Sequence, residues 1–176
     1  MFQSLGRANS CVLNLEKTSN DHPVHISCGG EHTAVITENG RLLVFGGNSC
    51  CQLGLGFKPA AIKPASVKAF KSEKVKLAAC GKDHTIVCTW WGSVYGAGSN
   101  HMGQLGLGHC NNTSSFQPLH QFCDHTPIKM LSAGCHTSAA LTGLTSFEWH
   151  FNQLFLCKAT EPSHHANIMS SLLKPL

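Results

Sequence analysis

Short apolar runs separated by glycine-containing turns cover the first two-thirds of the chain. The runs HTAVIT and RLLVFG flank Asn39-Gly40. Asn-Gly between two apolar runs is a strong hairpin signal, because both residues tolerate a positive φ. The run VHISC, residues 24–28, predicts one more strand before this hairpin. The pattern therefore predicts a small antiparallel sheet.

The same pattern returns 52 residues later without a gap. Residues 28–56 superpose on residues 80–108, so that cysteine, histidine, glycine and the closing QLGLG coincide. A third copy, IKMLSAGCHTSAALT at residues 128–142, stops before its own QLGLG. A period near fifty residues with several strands per unit is typical of propeller arrays, whose sheets stack radially to bury their faces.

The repeats predict an all-β fold, a partial β-propeller of about two and a half blades, each with three or four antiparallel strands. We divide the chain into a divergent N-terminal segment, the propeller repeats and a non-repeat tail. These are residues 1–19, residues 20–142 (units 24–56, 75–108 and partial 128–142), and residues 143–176.

The tail has no repeat register. Phe147, Trp149 and Phe151 alternate as in a strand, but we interpret the tail as unrelated sequence, such as read-through past an alternative exon boundary. Two complete units and part of a third cannot close a ring, and open sheet edges favour association. We therefore expect a truncated, isoform-like chain that is poorly stable alone.

Composition favours a globular protein, with 42% apolar and 12% charged residues. The sequence shows no apolar span of the ~20 residues that a bilayer requires and no secretory signal core, so we expect a cytosolic or nuclear protein. The ten cysteines should then stay reduced, and we expect Cys28, Cys80 and Cys88 to be small buried hydrophobes.

No metal or cofactor site is predicted. Cys123-x-His125 and Cys135-His136 are the nearest zinc candidates, but both lack the paired ligands that zinc needs. Phosphate-loop motifs and a GxSxG elbow are also missing from the sequence.

No catalytic residue is predicted either. His32 and His84 recur at the same place in successive units, which favours a shared structural bond, for example to backbone near a turn, over catalysis. In the third unit Thr137 takes this place, so we expect the bond to be lost there. The sequence therefore predicts a protein that is not an enzyme.

Three local features depart from a regular repeat. Six lysines lie between residues 58 and 76 with only Glu73 opposing them, which would suit an acidic partner or nucleic acid, although we favour a solvated connection. Cys51 replaces the glycine found at Gly103, at a turn that requires positive φ. Trp90-Trp91 stands where the first unit has a polar turn, and exposed tryptophans there are a liability.

The motif CGxxHTxxxT, followed by a glycine turn, an aromatic-Gly strand end and NxxxQLGLG, resembles the repeat of the regulator of chromosome condensation family. The resemblance covers about residues 20–142. It implies a segment of a seven-bladed propeller, and within the family the likeness is to a non-enzymatic ciliary scaffold. That likeness implies a protein-binding module at the cilium base or centrosome, with ciliary or transport proteins and small GTPases as partners.

Two alternatives stay open beside this interpretation. The wider family includes a guanine-nucleotide exchange factor for the GTPase Ran, which acts through one face of a complete propeller. The chain could instead be a non-functional fragment. Nucleic acid is a less favoured partner, because aromatics that could stack bases are sparse around the lysines.

Overall fold

A computed structural model describes residues 20–120, 122, 127–142, 145–150 and 153–158. The described chain forms three four-stranded antiparallel sheets, whose strands are adjacent in chain order. Sheet 1 contains β1 (Pro23–Cys28), β2 (His32–Thr37), β3 (Leu42–Gly46) and β4 (Ala61–Ser66); sheet 2 contains β5 (Val75–Cys80), β6 (His84–Thr89), β7 (Val94–Gly98) and β8 (Thr113–Pro118); sheet 3 contains β9 (Met130–Ala133), β10 (Ser138–Leu141), β11 (Thr145–His150) and β12 (Gln153–Lys158). This architecture confirms the all-β partial propeller.

The hairpins lie where the glycine turns predict them. Gly40 has φ 77° and Gly92 has φ 91°, so both turns use the left-handed region that glycine adopts without penalty. The amide of Gly40 donates to the carbonyl of Thr37, and the amide of Gly92 donates in the same way to Thr89. The two central strands of sheets 1 and 2 follow directly from these turns.

The fourth strand of each complete sheet comes from residues beyond the QLGLG loop. β4 and β8 pair with β3 and β7, although the sequence units were drawn to end at residues 56 and 108. The lysine segment, which we interpreted as a solvated connection, thus contains β4 and the three-residue 3₁₀ helix Lys68–Phe70. All six of its lysines are nevertheless exposed, as that interpretation requires.

Sheet 3 combines repeat and non-repeat residues. β9 and β10 come from the partial third unit, and β11 and β12 come from the tail. β11 pairs with β10 and β12, so that Phe147 lies opposite Ala140 and Leu156. The strand-like alternation of Phe147 and Trp149 therefore corresponds to a strand, whereas Phe151 lies outside the described residues.

The core consists of apolar layers between successive sheets. One layer lies between sheets 1 and 2 and the next between sheets 2 and 3. Alternate side chains of β6 supply both layers, since Val87 belongs to the first, and Ile86 and Cys88 to the second. A smaller cluster, Val35, Leu43 and Phe45, is buried on the face of sheet 1 that points away from sheet 2.

This arrangement corrects one cysteine prediction. Cys80 and Cys88 are buried, as expected, but Cys28 is exposed. Cys80 belongs to the layer between sheets 1 and 2, whereas Cys28 holds the equivalent place on β1, for which the described chain provides no preceding sheet. On this face the central strands bury Val35, Leu43 and Phe45, whereas Ile26 and Cys28 of β1 are exposed.

Candidate functional site

The repeated histidines join one sheet to the next. His32 Nε2 lies 2.7 Å from Thr85 Oγ1, and this hydroxyl donates to the carbonyl of Gln52 at 2.6 Å. Because the hydroxyl hydrogen is used in that second bond, the histidine must be the donor in the first. The result is a relay of two bonds across the layer between sheets 1 and 2.

The next layer repeats this relay. His84 Nε2 donates to Ser138 Oγ at 2.8 Å, and Ser138 donates to the carbonyl of Gln104 at 2.8 Å. The sequence predicted a shared structural bond, and the bond is present, but its acceptor is a hydroxyl of the following sheet. In each case that hydroxyl belongs to the residue after the aligned histidine position.

Both histidines are neutral at physiological pH. Desolvation by burial lowers the pKa of His32 to about 4 and that of His84 to about 3. Both rings are almost completely buried, and Nδ1 of each has no hydrogen-bond partner within the described residues. A buried imidazole with a pKa this low is a weak base, and its burial keeps it from contact with a substrate, so neither ring suits general base catalysis.

Backbone hydrogen bonds join the same pairs of sheets as the relays, and glycines lie beside the histidine rings. The amide of Gly30 donates to the carbonyl of Gly81, and the amide of Lys82 donates to the carbonyl of Gly134. A Cβ on Gly81 would lie 2.2 Å from Cε1 of His84 and 2.5 Å from the carbonyl oxygen of Gly134. Glycine is therefore required where the ring and the next sheet approach the backbone.

The relay stops at the third unit. Thr137 stands at the aligned histidine position, and its carbonyl accepts from the amide of Gly134 as the histidine carbonyls accept from Gly29 and Gly81. Threonine keeps this backbone bond but has no ring to reach a further sheet. The expected loss of the histidine bond at this position follows from the residue itself.

The QLGLG loops are held by a second repeated set of bonds. Asn48 Oδ1 accepts from the amide of Leu53, and Asn100 Oδ1 accepts from the amide of Leu105. Gln52 and Gln104 are buried, and the Oε1 atom of each accepts an amide from its own turn. The sequence analysis used these residues only as repeat markers, although their fixed NxxxQ spacing was the available signal for this role.

The turn at Cys51 has the predicted conformation. Cys51 has φ 61°, and it is the one residue other than glycine with a positive φ in the described part of the chain. Gly103 holds the same place with φ 71°. Cys51 therefore carries a side chain in a conformation that costs about 1 kcal/mol or more.

The nearest metal-ligand candidates provide two donors at most. Cys135 Sγ lies 3.4 Å from Nε2 of the adjacent His136, while Cys123 and His125 lie outside the described residues. Groups of three or more histidine, cysteine or acidic side chains suited to a metal do not occur among the residues that the structure describes.

The β6–β7 turn exposes two tryptophans. The side chains of Trp90 and Trp91 are 63% and 66% exposed, as the sequence predicted. Lys76 Nζ lies 5.7 Å from the centre of the Trp90 ring, a distance at which a cation is attracted to the ring face. This turn presents a different surface from the polar turn of sheet 1.

Three stacked sheets with repeated histidine relays and glycine loops define a segment of a β-propeller built from repeats. Models of the Regulator of chromosome condensation (RCC1) repeat match residues 24–52, 39–88 and 92–141. The chain belongs to this family. The comparison confirms the family resemblance read from the sequence motifs.

The chain is 56% identical, over 123 residues, to the human X-linked retinitis pigmentosa GTPase regulator. The match covers 70% of this chain but only 12% of the human protein. The crystal structure of human WBSCR16 has the same fold, with a TM-score of 0.67 and 20% identity over 75% of this chain and 34% of that chain. Prp20p from Saccharomyces cerevisiae, whose structure was described together with its binding to Gsp1p and histones, gives a TM-score of 0.62 at 21% identity over 74% of this chain and 33% of that chain.

The described residues contain no helix long and apolar enough to cross a membrane.

Proposed function

We propose that this chain is a non-enzymatic protein-binding module that takes part in ciliary protein trafficking. The observation that carries the proposal is the position of the recurring histidines. His32 and His84 join sheets within the core, so these recurring side chains stabilise the fold. Turns and loops at the two ends of the sheets are then left to contact partners.

The cellular setting of the proposal comes from the human relative. It is the X-linked retinitis pigmentosa GTPase regulator, to which 123 residues of this chain are 56% identical. By analogy, the partners are ciliary or transport proteins, and the site of action is the cytoplasm at the cilium base or centrosome. Because the chain spans 12% of that relative, each partner must be tested on this chain directly.

Affinity capture from ciliated cells tests the proposal. The purified chain should enrich ciliary and transport proteins over the same capture from unciliated cells. Gly81→Ala is the matched control, because its Cβ would meet the carbonyl of Gly134 and break the contact between sheets 2 and 3. Equal recovery on the intact chain and the Gly81→Ala control would contradict the proposal.

A second candidate is nucleotide exchange on a small GTPase. It is supported by the name of the human relative, a GTPase regulator, and by the reported binding of Prp20p to Gsp1p. Release of a fluorescent guanine nucleotide from a panel of small GTPases, Ran included, separates the two candidates. Accelerated release would favour exchange, and binding without acceleration would favour the scaffold.

A further inference from the structure

The tip of sheet 2 combines aromatic and cationic side chains. We call Trp90, Trp91, Lys74 and Lys76 the tryptophan patch. The amide of Trp90 donates to the carbonyl of Lys74 at 2.9 Å, and Lys76 Nζ lies over the Trp90 ring. Both tryptophans are mostly exposed, and both lysines are exposed as well. Exposed aromatic surface of this kind is typical of binding sites.

Within the described residues, neither lysine of the patch belongs to an ion pair. Glu73 is the one acidic residue between positions 58 and 76, and both of its carboxylate oxygens lie 3.4 Å from the hydroxyl of Tyr95. The ion pair found within the described residues joins Arg41 and Asp21 in sheet 1. Lys76 Nζ donates to the carbonyl of Ile128 at 3.4 Å, which leaves its charge unpaired, so both lysines can face an external anion.

The equivalent turn of sheet 1 has the opposite character. Its tip is Glu38-Asn39, and the buried carboxylate of Asp21 accepts from the Asn39 amide at 2.9 Å and from the Thr37 hydroxyl at 2.8 Å. Glu73 holds the place of Asp21 in the second unit but faces Tyr95 instead. Only the tip of sheet 2 thus joins an apolar surface to free positive charge, among the two complete sheets.

We propose that the tryptophan patch binds an acidic peptide segment of a partner protein. An apolar side chain of the peptide would pack on Trp90 and Trp91, and flanking carboxylates would face Lys74 and Lys76. Tryptophan contributes strongly at interface centres, and complementary charge guides association. This inference rests on the proposed protein-binding function and names the chemistry of its partner.

The neighbouring turn favours a peptide over an anionic membrane. The amide of Val75 donates to the carbonyl of Gly40 at 2.9 Å, which places the turn with Glu38 beside the patch. A flat anionic surface resting on the patch would also approach the exposed Glu38 carboxylate, and the like charges would repel. A narrow peptide, unlike a flat surface, can contact the tryptophans and lysines without covering the Glu38 turn.

Direct binding of a synthetic probe tests the inference. The probe is a fluorescein-labelled peptide in which glutamates flank one phenylalanine, and its control has lysine in place of every glutamate. Trp90→Gln with Trp91→Asn should weaken binding about tenfold or more. Lys74→Gln with Lys76→Gln should weaken it and reduce its salt dependence.

The matched control is Lys58→Gln with Lys63→Gln, an equal charge change away from the patch. Lys58 follows the loop at the opposite end of β3, and Lys63 lies on the outer strand β4. This control should bind the acidic peptide as the unaltered chain does. Each variant is first compared with that chain by thermal melting, so that unfolding is separated from lost contacts.

Intrinsic fluorescence gives a measurement that needs no patch variant. The chain has three tryptophans, two of them in the patch, so a Trp149→Phe chain reports on Trp90 and Trp91 alone. The acidic peptide should shift their emission, and the lysine control peptide should not. No shift, or equal binding by the patch variants and the control, would overturn the inference.

Binding to vesicles with anionic lipids tests whether the patch recognises a membrane surface and not an acidic peptide. Binding to these vesicles without binding to the peptide would overturn the peptide assignment. Capture of ciliary proteins that survives Trp90→Gln with Trp91→Asn would refute the patch but leave the proposed function intact. Loss of all capture by the unaltered chain would instead refute the proposed function.

Discussion

His84 in sheet 2 donates to Ser138 in sheet 3 across 2.8 Å, within a layer that excludes water. The hydroxyl of Ser138 in turn donates a hydrogen bond to the carbonyl of Gln104. His32 and Thr85 form the same pair one unit earlier. The histidine shared by the first two units therefore joins each of these units to the next one.

Removing this hydroxyl should destabilise the chain. Ser138→Ala leaves His84 Nε2 and the Gln104 carbonyl buried without their partner, and we expect a loss of about 1 to 3 kcal/mol in the free energy of unfolding. Urea denaturation measures it, with the exposed Ser66→Ala as control, expected within about 0.5 kcal/mol. Equal effects of the two substitutions would show that the relay carries no stability.

Stability should fall as the pH is lowered from about 7 to about 4. The unfolded histidines bind protons near pH 6.5, whereas burial lowers the pKa of His32 to about 4 and of His84 to about 3. Their contribution is thus fully present above pH 6.5, and it is lost as the pH falls toward the folded pKa values, on the order of 1 kcal/mol per pH unit for each group.

A non-titrating variant isolates this effect. His84→Gln should make the dependence of the urea midpoint on pH shallower between pH 6.5 and pH 4. Desolvation raises the pKa of Asp21, but bonds from Asn39 and Thr37 and the Arg41 charge outweigh it, so the net shift is downward from 3.8 and acts at lower pH. An unchanged slope would mean that His84 is not buried in its neutral form.

Replacing Cys51 with glycine should stabilise the chain. Glycine adopts φ 61° without the steric cost that a side chain incurs, and its greater freedom in the unfolded state offsets part of the gain. We expect a net increase of about 0.5 kcal/mol. The control is Cys50→Gly, at the adjacent position without positive φ, and it should lower the melting temperature. If both substitutions raised the melting temperature, the steric cost assigned to Cys51 would be contradicted.

A serine at position 47 should complete the bonding of Gln52. Gln104 Nε2 donates to Ser99 Oγ at 3.2 Å, but Gly47 stands at the equivalent place, and Gln52 Nε2 is buried without a partner in the described part of the chain. Gly47→Ser should therefore add about 1 kcal/mol, provided that the exposed Glu31 side chain moves aside.

The neighbouring glycine gives the control for this substitution. Gly46 has φ 108°, and a Cβ there would lie 2.3 Å from the carbonyl oxygen of Glu31. Gly46→Ser should be strongly destabilising. If Gly47→Ser also lowered the stability, the side chain of Glu31 could not move away from the added serine, and the prediction would be wrong.

The sequence predicted the features that depend on local conformation. The Gly40 and Gly92 turns followed from the sequence pattern, and the positive φ of Cys51 followed from its alignment with Gly103. The exposure of Cys28 was missed, because burial of that strand face requires a preceding sheet.

Features that join different sheets were harder to foresee. The acceptor of His32 is Thr85. A repeat pattern in the sequence does not show that a side chain bonds to a residue of the following unit. The alternation of Phe147 and Trp149 hinted at β11, but we favoured unrelated sequence and did not predict β12, because the tail shares no register with the repeats. Backbone pairing of β11 with β10 and β12 needs no repeat sequence. Turn chemistry is local, whereas the relays and the third sheet depend on tertiary packing.

The most direct test of this account is thermal unfolding of the purified 176-residue chain, followed by circular dichroism together with light scattering. Three sheets joined through shared apolar layers and histidine relays should melt in one cooperative transition from a β-rich spectrum, with a defined particle mass, even if the midpoint is low. A gradual, non-cooperative loss of signal with aggregates of undefined mass would contradict the interlocked stack and, with it, the binding module proposed for this chain.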